Sequence, residues 1–325
     1  MIRTDLALET HELLKSSRDE SILPGVEVEE EEIYEGEIKV TRVRVTNDEG
    51  AESMGKPIGN YITIESDLMK INDVYAQEEI IKVFSDELGR LHNLKDGGSC
   101  LIIGLGNWHV TPDALGPKVV SKVLVTRHIK ESISKEIQTE VRDVSAISPG
   151  VMGITGIETA ETVKGIVGRV KPDLVIAVDA LAARRTSRIN STIQICDTGI
   201  SPGAGLGNNR KMLDEKHLGV KVIGIGVPTV VDAATLVSDT MDLVLGSMKS
   251  QTENGAQFYE MLESLESDEK YSMIKEILYP YSANMFVTPK EVDEVIDRLA
   301  NIIANSLNIS LHEGIGKEDI NRYVG

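Results

Sequence analysis

The sequence predicts an α/β fold: a mostly parallel central sheet with helices on both faces, plus a small antiparallel β layer. Three observations carry this. Short apolar runs such as Cys100–Gly104 and residues 174–178 and 222–227 read as buried strands, and they alternate with segments of helical period. Only 4% of the 325 residues are aromatic against 41% hydrophobic, so the core has to be assembled from Val, Ile, Leu, Ala and Met. The stretch Ile38–Val45 and residues 61–65 alternate apolar and polar side chains, the pattern of strands with one wet face.

In chain order, residues 1–35 are polar and end in the acidic run from Glu27 to Glu32, read as a solvated edge or loop. The two alternating strands follow, forming the antiparallel layer. From residue 76 a β-turn-α rhythm sets in: a helix over 76–91, the strand Cys100–Gly104, and a helix over 115–129. A strand at Val144–Ile147, a helix over 158–170, and strands at 174–178, Thr192–Cys196 and 222–227 continue it. Helical segments at 231–245, 257–266, 271–278 and 289–307 complete the chain, the last opened by Thr288 as cap and Pro289 at the first helical position.

Composition excludes several functions. A net charge of -18 leaves no basic surface for a phosphate backbone, so no direct nucleic-acid contact is expected. No run of about 18 apolar residues and no N-terminal apolar core appear, so neither a membrane span nor an export signal is expected, and an intracellular location follows. Cys100 and Cys196, both within apolar runs, read as buried reduced thiols.

The turn Gly104-Leu-Gly106-Asn-Trp-His109 resembles the start of a nucleotide-binding loop but lacks the third glycine of a dinucleotide fingerprint, and no Walker ending exists anywhere in the chain. The turn instead delivers Asn107 and Asp113 to the carboxyl edge of a parallel sheet, the edge where open α/β folds place their sites. A second acid, Asp179, directly follows the apolar run 174–178 at the same edge. Either aspartate alone reads equally well as a helix cap or a loop hydrogen bond. Two carboxylates sharing one site divide their protons unequally, which suits general acid-base hydrolysis. The glycine-rich turns 148–156, with Gly153 and Gly156, and 198–208 lie at the same rim. They are placed either to offer backbone N–H groups to an extended substrate or only to turn tightly. Asn107, Gly153 and Gly156 are therefore candidate substrate contacts. The six histidines show no metal-binding spacing, with His109 nearest the turn, and no Gly-x-Ser-x-Gly elbow is present. No metal and no cofactor is expected.

Several long segments together resemble the germination protease family of endospore-forming bacteria. These are Cys100 to Asn107 with Val110 to Lys118, Pro149 to Thr159, Asp179 to Arg184, Gly203 to Asn208, Gly226 to Ala233 and Val287 to Asp293. The resemblance implies an atypical aspartic-type endopeptidase with Asp113 and Asp179 as its catalytic pair. It implies a fold similar to that of the hydrogenase maturation proteases and small acid-soluble spore proteins as substrates. A homotetramer, a cytoplasmic location in the spore core, and synthesis as a zymogen processed near the N-terminus are also implied. Arg3 to Glu9 matches a processing sequence, with cleavage between Asp5 and Leu6, leaving residues 1–5 as a short propeptide and 6–325 as a single α/β peptidase domain. Arg184, Arg185 and Arg188 are candidates for meeting a substrate glutamate, or else surface charge on a helix. Two other readings stay open: a metal-dependent maturation-type protease, and a non-catalytic binding protein on the same fold.

Overall fold

The computed structural model describes residues 4–18, 23–129, 140–202, 211–249, 271–274, 276–277 and 285–322. One continuous sheet organises them, in the order β1-β2-β3-β7-β8-β6-β4-β5, with β9 also on β8. The strands are β1 (Val26–Ile33), β2 (Ile38–Val45), β3 (Gly59–Glu65), β4 (Cys100–Gly104), β5 (Val144–Ile147), β6 (Leu174–Ala183), β7 (Thr192–Cys196), β8 (Lys221–Asp232) and β9 (Phe286–Val287).

Only β8-β6-β4-β5 pair in parallel; every pairing from β1 to β8 through β2, β3 and β7 is antiparallel, as is β8 with β9. The expectation of a mostly parallel sheet with a separate antiparallel layer is thus corrected. Strand β7 pairs antiparallel with both β3 and β8 and so splices the hairpin strands onto the parallel half. Periodicity within single strands cannot reveal such a splice, because it fixes which face is buried and not which neighbour is met.

Helices cover both faces, as expected. The apolar residues of β6 divide between them: Ile176 and Val178 join the core cluster holding α3 (Val74–His92), α4 (Leu115–Lys122) and α9 (Val292–Leu311), while Val175 and Ala177 join the one holding α6 (Thr159–Val170). On that second face α1 (Ala7–Arg18) and α2 (Asp48–Met54) pack over β2, β3 and β7 through Ala7, Val43, Met54 and Tyr61. The sequence-based reading contained no helix at α1. Leu6 just ahead of it and Ala7, Leu8 and Glu9 in its first turn are all buried.

The acidic run forms edge strand β1, with nearly every side chain exposed. Its glutamates are matched by cations of β2: Lys39 to Glu30 at 2.8 Å and Arg42 to Glu31 at 2.8 Å. A charged outer strand of this kind discourages edge-to-edge pairing with other chains.

Several boundaries move. The helix expected over 115–129 ends at Lys122, where Val123 turns extended and the Leu124 N–H donates to Asn308 Oδ1 at 2.9 Å. The last long helix starts at Val292 with Glu291 at its cap, because Thr288 is engaged elsewhere: its hydroxyl donates to the Thr229 carbonyl at 2.9 Å beside β9. Short helices α5 (Met152–Thr155) and α7 (Glu215–Leu218) precede α6 and β8, and α8 (Ala233–Lys249) follows β8. Residues 271–274 and 276–277 are helical, whereas the helix expected over 257–266 and the Gly203 to Asn208 motif lie outside the described residues.

His312, at the end of α9, ties this helix to the approach to β5: its Nδ1 accepts the Arg142 N–H at 3.1 Å, which leaves the proton on Nε2. Burial, with help from the Arg142 charge, pushes its pKa from 6.5 down to about 4. The unfolded chain therefore takes up a proton near pH 6.5 that the folded chain refuses until about pH 4. The stability His312 contributes is complete above pH 6.5 and is lost progressively toward pH 4. Its full size is about 3 kcal/mol by the linkage relation. Urea titrations at pH 7 and pH 5 should show His312→Gln with a shallower pH dependence than wild type. Burial also lowers His92 and His11, so some slope should remain.

Candidate active site

The turn after β4 is made by close backbone approach. Gly106 has φ +109°, a conformation that side-chain-bearing residues rarely adopt, and a Cβ there would lie 2.0 Å from the Asp113 carbonyl oxygen. Helix α4 begins equally tightly: a Cβ on Gly116 would lie 2.3 Å from the Leu105 carbonyl and 2.6 Å from that of Val178 on β6. The turn is then fixed by polar bonds. The Asn107 N–H donates to the Asp113 carbonyl at 3.0 Å, and Asn107 Oδ1 accepts the His109 N–H at 3.0 Å. The Thr229 hydroxyl donates to the Pro112 carbonyl at 2.7 Å, and the Thr111 hydroxyl to Asp293 Oδ1 at 2.8 Å. Asp113 thus sits at the end of a single 3-10 turn, Thr111–Asp113, held from β8 and α9.

Asp179 comes from β6. Sequence placed it just past the strand, but β6 continues to Ala183, so this carboxylate lies inside the sheet and is 4% exposed. Its Oδ1 accepts the Ala180 N–H at 2.9 Å. In register it stands opposite Gly226 of β8, and alternation puts it on the same face as Ala177 and Leu181. The turn carrying Asp113 packs against both β6 and β8, so the two aspartates occupy one corner of the sheet, where β4 has ended and β6 runs on.

Past Asp179 the strand is gripped by the chain's own N-terminal segment. Register between β6 and β8 shifts at Leu181/Ala182, where β8 carries the extra residue Thr229, and here Asp5 Oδ2 accepts the Ala182 N–H at 3.1 Å. Beyond the strand end Glu9 accepts the N–H groups of Arg184 at 2.9 Å and Arg185 at 3.0 Å. The Arg188 side chain bonds Glu12 at 2.6 and 2.9 Å and Glu65 at 2.7 Å, with Glu9 at 3.5 Å. Arg185 adds a contact to Glu12 at 3.3 Å. Burial disfavours the Glu12 charge, yet the Arg188 hydrogen bonds and the charges of Arg188, Arg185 and Lys39 hold its pKa below 4.5. Arg188 is buried, so the alternative of a surface cation does not describe it.

The bond between Asp5 and Leu6 belongs to this seated segment. Leu6 is fully buried against Leu181 and its neighbours, the Asp5 carbonyl accepts from Lys56 Nζ at 2.9 Å, and Gln194 Oε1 accepts the Ala7 N–H at 2.6 Å. Lys56, Gln194 and Glu12 were absent from the residues singled out by sequence, and Glu9 entered only as the end of the processing match. Gln194, a polar residue at the centre of the apolar strand Thr192–Cys196, is the one that pattern could have revealed.

Gly153 and Gly156 lie apart from these contacts, on and after α5, with open space around both. Met152, Ile154 and Ile157 beside them are exposed, as are Trp108 and Val110 in the turn after β4, which pairs with β5. Both loops leave the carboxyl ends of neighbouring parallel strands and carry exposed apolar side chains. Both cysteines are free and buried, and burial pushes both thiols up.

A family model described as germination protease matches residues 6–258 and 248–324. A germination protease of Clostridium tetani is 50% identical over 323 residues, covering 99% of both chains. One from Caldanaerobacter subterraneus is 50% identical over 99% of this chain and 98% of its own. One from Bacillus subtilis is 45% identical over 99% of this chain and 96% of its own.

The two kinds of glycine separate cleanly by mutation. Gly106→Ala should cost more than about 2 kcal/mol in urea unfolding, from its backbone conformation and the contact with Asp113. Gly153→Ala, inside a helix turn with free space around it, should be neutral or stabilising by about 0.5–1 kcal/mol.

Proposed function

The chain belongs to the germination protease family and is a peptidase, and we propose that it initiates degradation of small acid-soluble spore proteins during germination, using Asp113 and Asp179 to activate water. The observation that carries this reading is the shared corner: a pinned turn brings Asp113 against the strand in which Asp179 interrupts an otherwise apolar run. Asp179 is a buried carboxylate within an apolar strand, where a charge is costly, and Asp113 is half-buried on the turn that packs against that strand.

In this mechanism one aspartate is ionised and accepts a proton from water as the oxygen attacks the peptide carbonyl. The other is protonated and donates to the carbonyl oxygen. Collapse of the tetrahedral species breaks the C–N bond as a proton passes to the leaving amine, and the pair returns to one proton between two carboxylates. An unfolded spore protein suits such a site, since an extended chain can be held by backbone pairing and by the exposed apolar side chains around Trp108 and Ile154. Asn107 shapes the turn through its own hydrogen bonds, and Gly153 and Gly156 leave space open for substrate.

The rest of the reading follows the family. Residues 1–5 form a short propeptide removed by self-cleavage between Asp5 and Leu6, residues 6–325 form one peptidase domain, and the working form is a homotetramer in the spore core. The glycine turn after β4 and the acid in β6 are the features through which the fold is similar to hydrogenase maturation proteases. Among the described residues no helix is long and apolar enough to cross a membrane, and no group of three or more His, Cys, Asp or Glu side chains gathers as a metal site.

Asp113→Asn and Asp179→Asn should each lower the cleavage rate of a small acid-soluble spore protein by at least about a thousandfold, with circular dichroism unchanged. A wild-type rate in either variant would remove that residue from the chemistry. Dialysis against a chelator should leave activity intact; loss that a transition metal restores would establish the metal-dependent reading. A spore protein left intact after long incubation with wild type would favour a binding protein.

A further inference from the structure

Strand β8 meets both halves of the acid pair. Its Gly226 is the register partner of Asp179, and further along the strand Thr229 donates its hydroxyl at 2.7 Å to the carbonyl of Pro112, the residue before Asp113. We propose that Thr229 is a positioning residue of the peptidase: the bulge in β8 aims its hydroxyl at the turn after β4 and so sets where Asp113 stands relative to Asp179. This rests on the reading of the two aspartates as the catalytic pair and adds the group that fixes one against the other.

The turn itself leaves a place for this bond. Its own backbone takes up the neighbouring carbonyls: the Asp113 N–H donates to Val110 at 2.8 Å, the Ala114 N–H to Thr111 at 3.1 Å, and the Asn107 N–H to Asp113 at 3.0 Å. The Pro112 carbonyl is left out of this pattern, and among the described residues its donor is Thr229. A carbonyl that no local N–H reaches takes its partner from another element or from water.

The register of β8 brings a strand residue to face the turn. Pro228 stands opposite Leu181 and Val230 opposite Ala182, so Thr229 is the extra residue of the bulge and has no register partner on β6. Bulges beside active sites re-aim a side chain in this way. The backbone around the irregularity is satisfied too: the Pro228 carbonyl accepts the Asn190 N–H at 2.8 Å, and the Thr229 carbonyl accepts the Thr288 hydroxyl at 2.9 Å. Thr229 is thus braced at its backbone and 1% exposed, and its hydroxyl gives its one proton to Pro112.

The second bond to the turn, from the Thr111 hydroxyl to Asp293, is exposed, and water can replace either partner. The Thr229 hydroxyl comes from a buried residue and ties the turn to the strand whose Gly226 faces Asp179. Without it the peptide between Pro112 and Asp113 loses its hold and the Asp113 carboxylate shifts with it. Misplacement of a reacting group lowers turnover while leaving substrate affinity in place.

The test compares wild type with Thr229→Val, close in shape but without the hydroxyl, and Thr229→Ser, which keeps it. Each is used as the full chain after completing its own processing, with a small acid-soluble spore protein as substrate. Thr229→Val should lower kcat about a hundredfold with KM within about twofold of wild type, and Thr229→Ser should keep most of the wild-type kcat. A wild-type kcat in Thr229→Val, a loss confined to KM, or a Thr229→Ser variant as slow as Thr229→Val overturns the positioning role. Lower stability in urea with kcat unchanged assigns Thr229 to the fold alone and overturns it equally. Asp113→Asn, measured alongside, separates the two readings. If it cleaves at the wild-type rate, the catalytic pair fails and the proposal with it; if it is slow while Thr229→Val is fast, only the proposal fails. Should Thr229→Val fail to fold, Thr288→Val removes the brace on the Thr229 carbonyl and should lower kcat at least about fivefold with KM unchanged. An unchanged kcat there overturns the proposal.

Discussion

Everything about this site depends on one packing constraint: no side chain separates the end of β4 from the start of α4. Gly104 meets the Gly116 carbonyl, Gly116 meets Leu105 and Val178, and Gly106 meets Asp113, each at a distance that excludes even a methyl group. Backbone in direct contact with backbone leaves the turn between Gly106 and Leu115 few conformations, and the bonds from Thr229 and to Asp293 remove those that remain. Asp113 is therefore positioned by the sheet and two helices together. The proposed role of Asp113 needs this, because errors well under an ångström already matter to chemistry.

The sequence made the glycines visible but not their purpose. Gly104 and Gly106 fit a phosphate-binding turn as a pattern, and only the missing third glycine argued otherwise. In the fold they serve close approach, with backbone donors such as the Asn107 N–H turned inward on the Asp113 carbonyl. Asp113 and Asp179 were legible because each follows an apolar strand, a place where an acid needs a reason. The extent of β6 was not, since Asp179-Ala-Leu-Ala-Ala reads as the start of a helix once a charge has ended the apolar run. Tertiary pairing with β8 overrides that local preference.

The N-terminal segment was the least legible part, for a physical reason. Thr4 to Glu12 contains acids at positions 5, 9 and 12, which by composition alone describe a solvated tail. Their partners are two backbone N–H groups past the end of a strand, a third beside a bulge, and a buried arginine more than 170 residues away, none of which leaves a local signal. Once these contacts form, Leu6 and Ala7 are drawn into the apolar layers on the same face, and a polar terminus becomes part of the core.

The mixed pairing of the sheet also has a functional consequence. A purely parallel sheet would place helical crossovers beside β8; here β7 runs antiparallel against it and presents Gln194 opposite Gly226, the glycine that itself stands opposite Asp179. The change of strand direction thus sets the Gln194 amide and the Asp179 carboxylate on the two strands that flank β8, both opposite one glycine. Gly226 carries no side chain to stand between them, and the Leu181 side chain covers it. The antiparallel half, which the sequence presents as a separate layer, thus carries the glutamine that holds the chain's own N-terminal segment, while Asp179 and the turn bearing Asp113 belong to the parallel half.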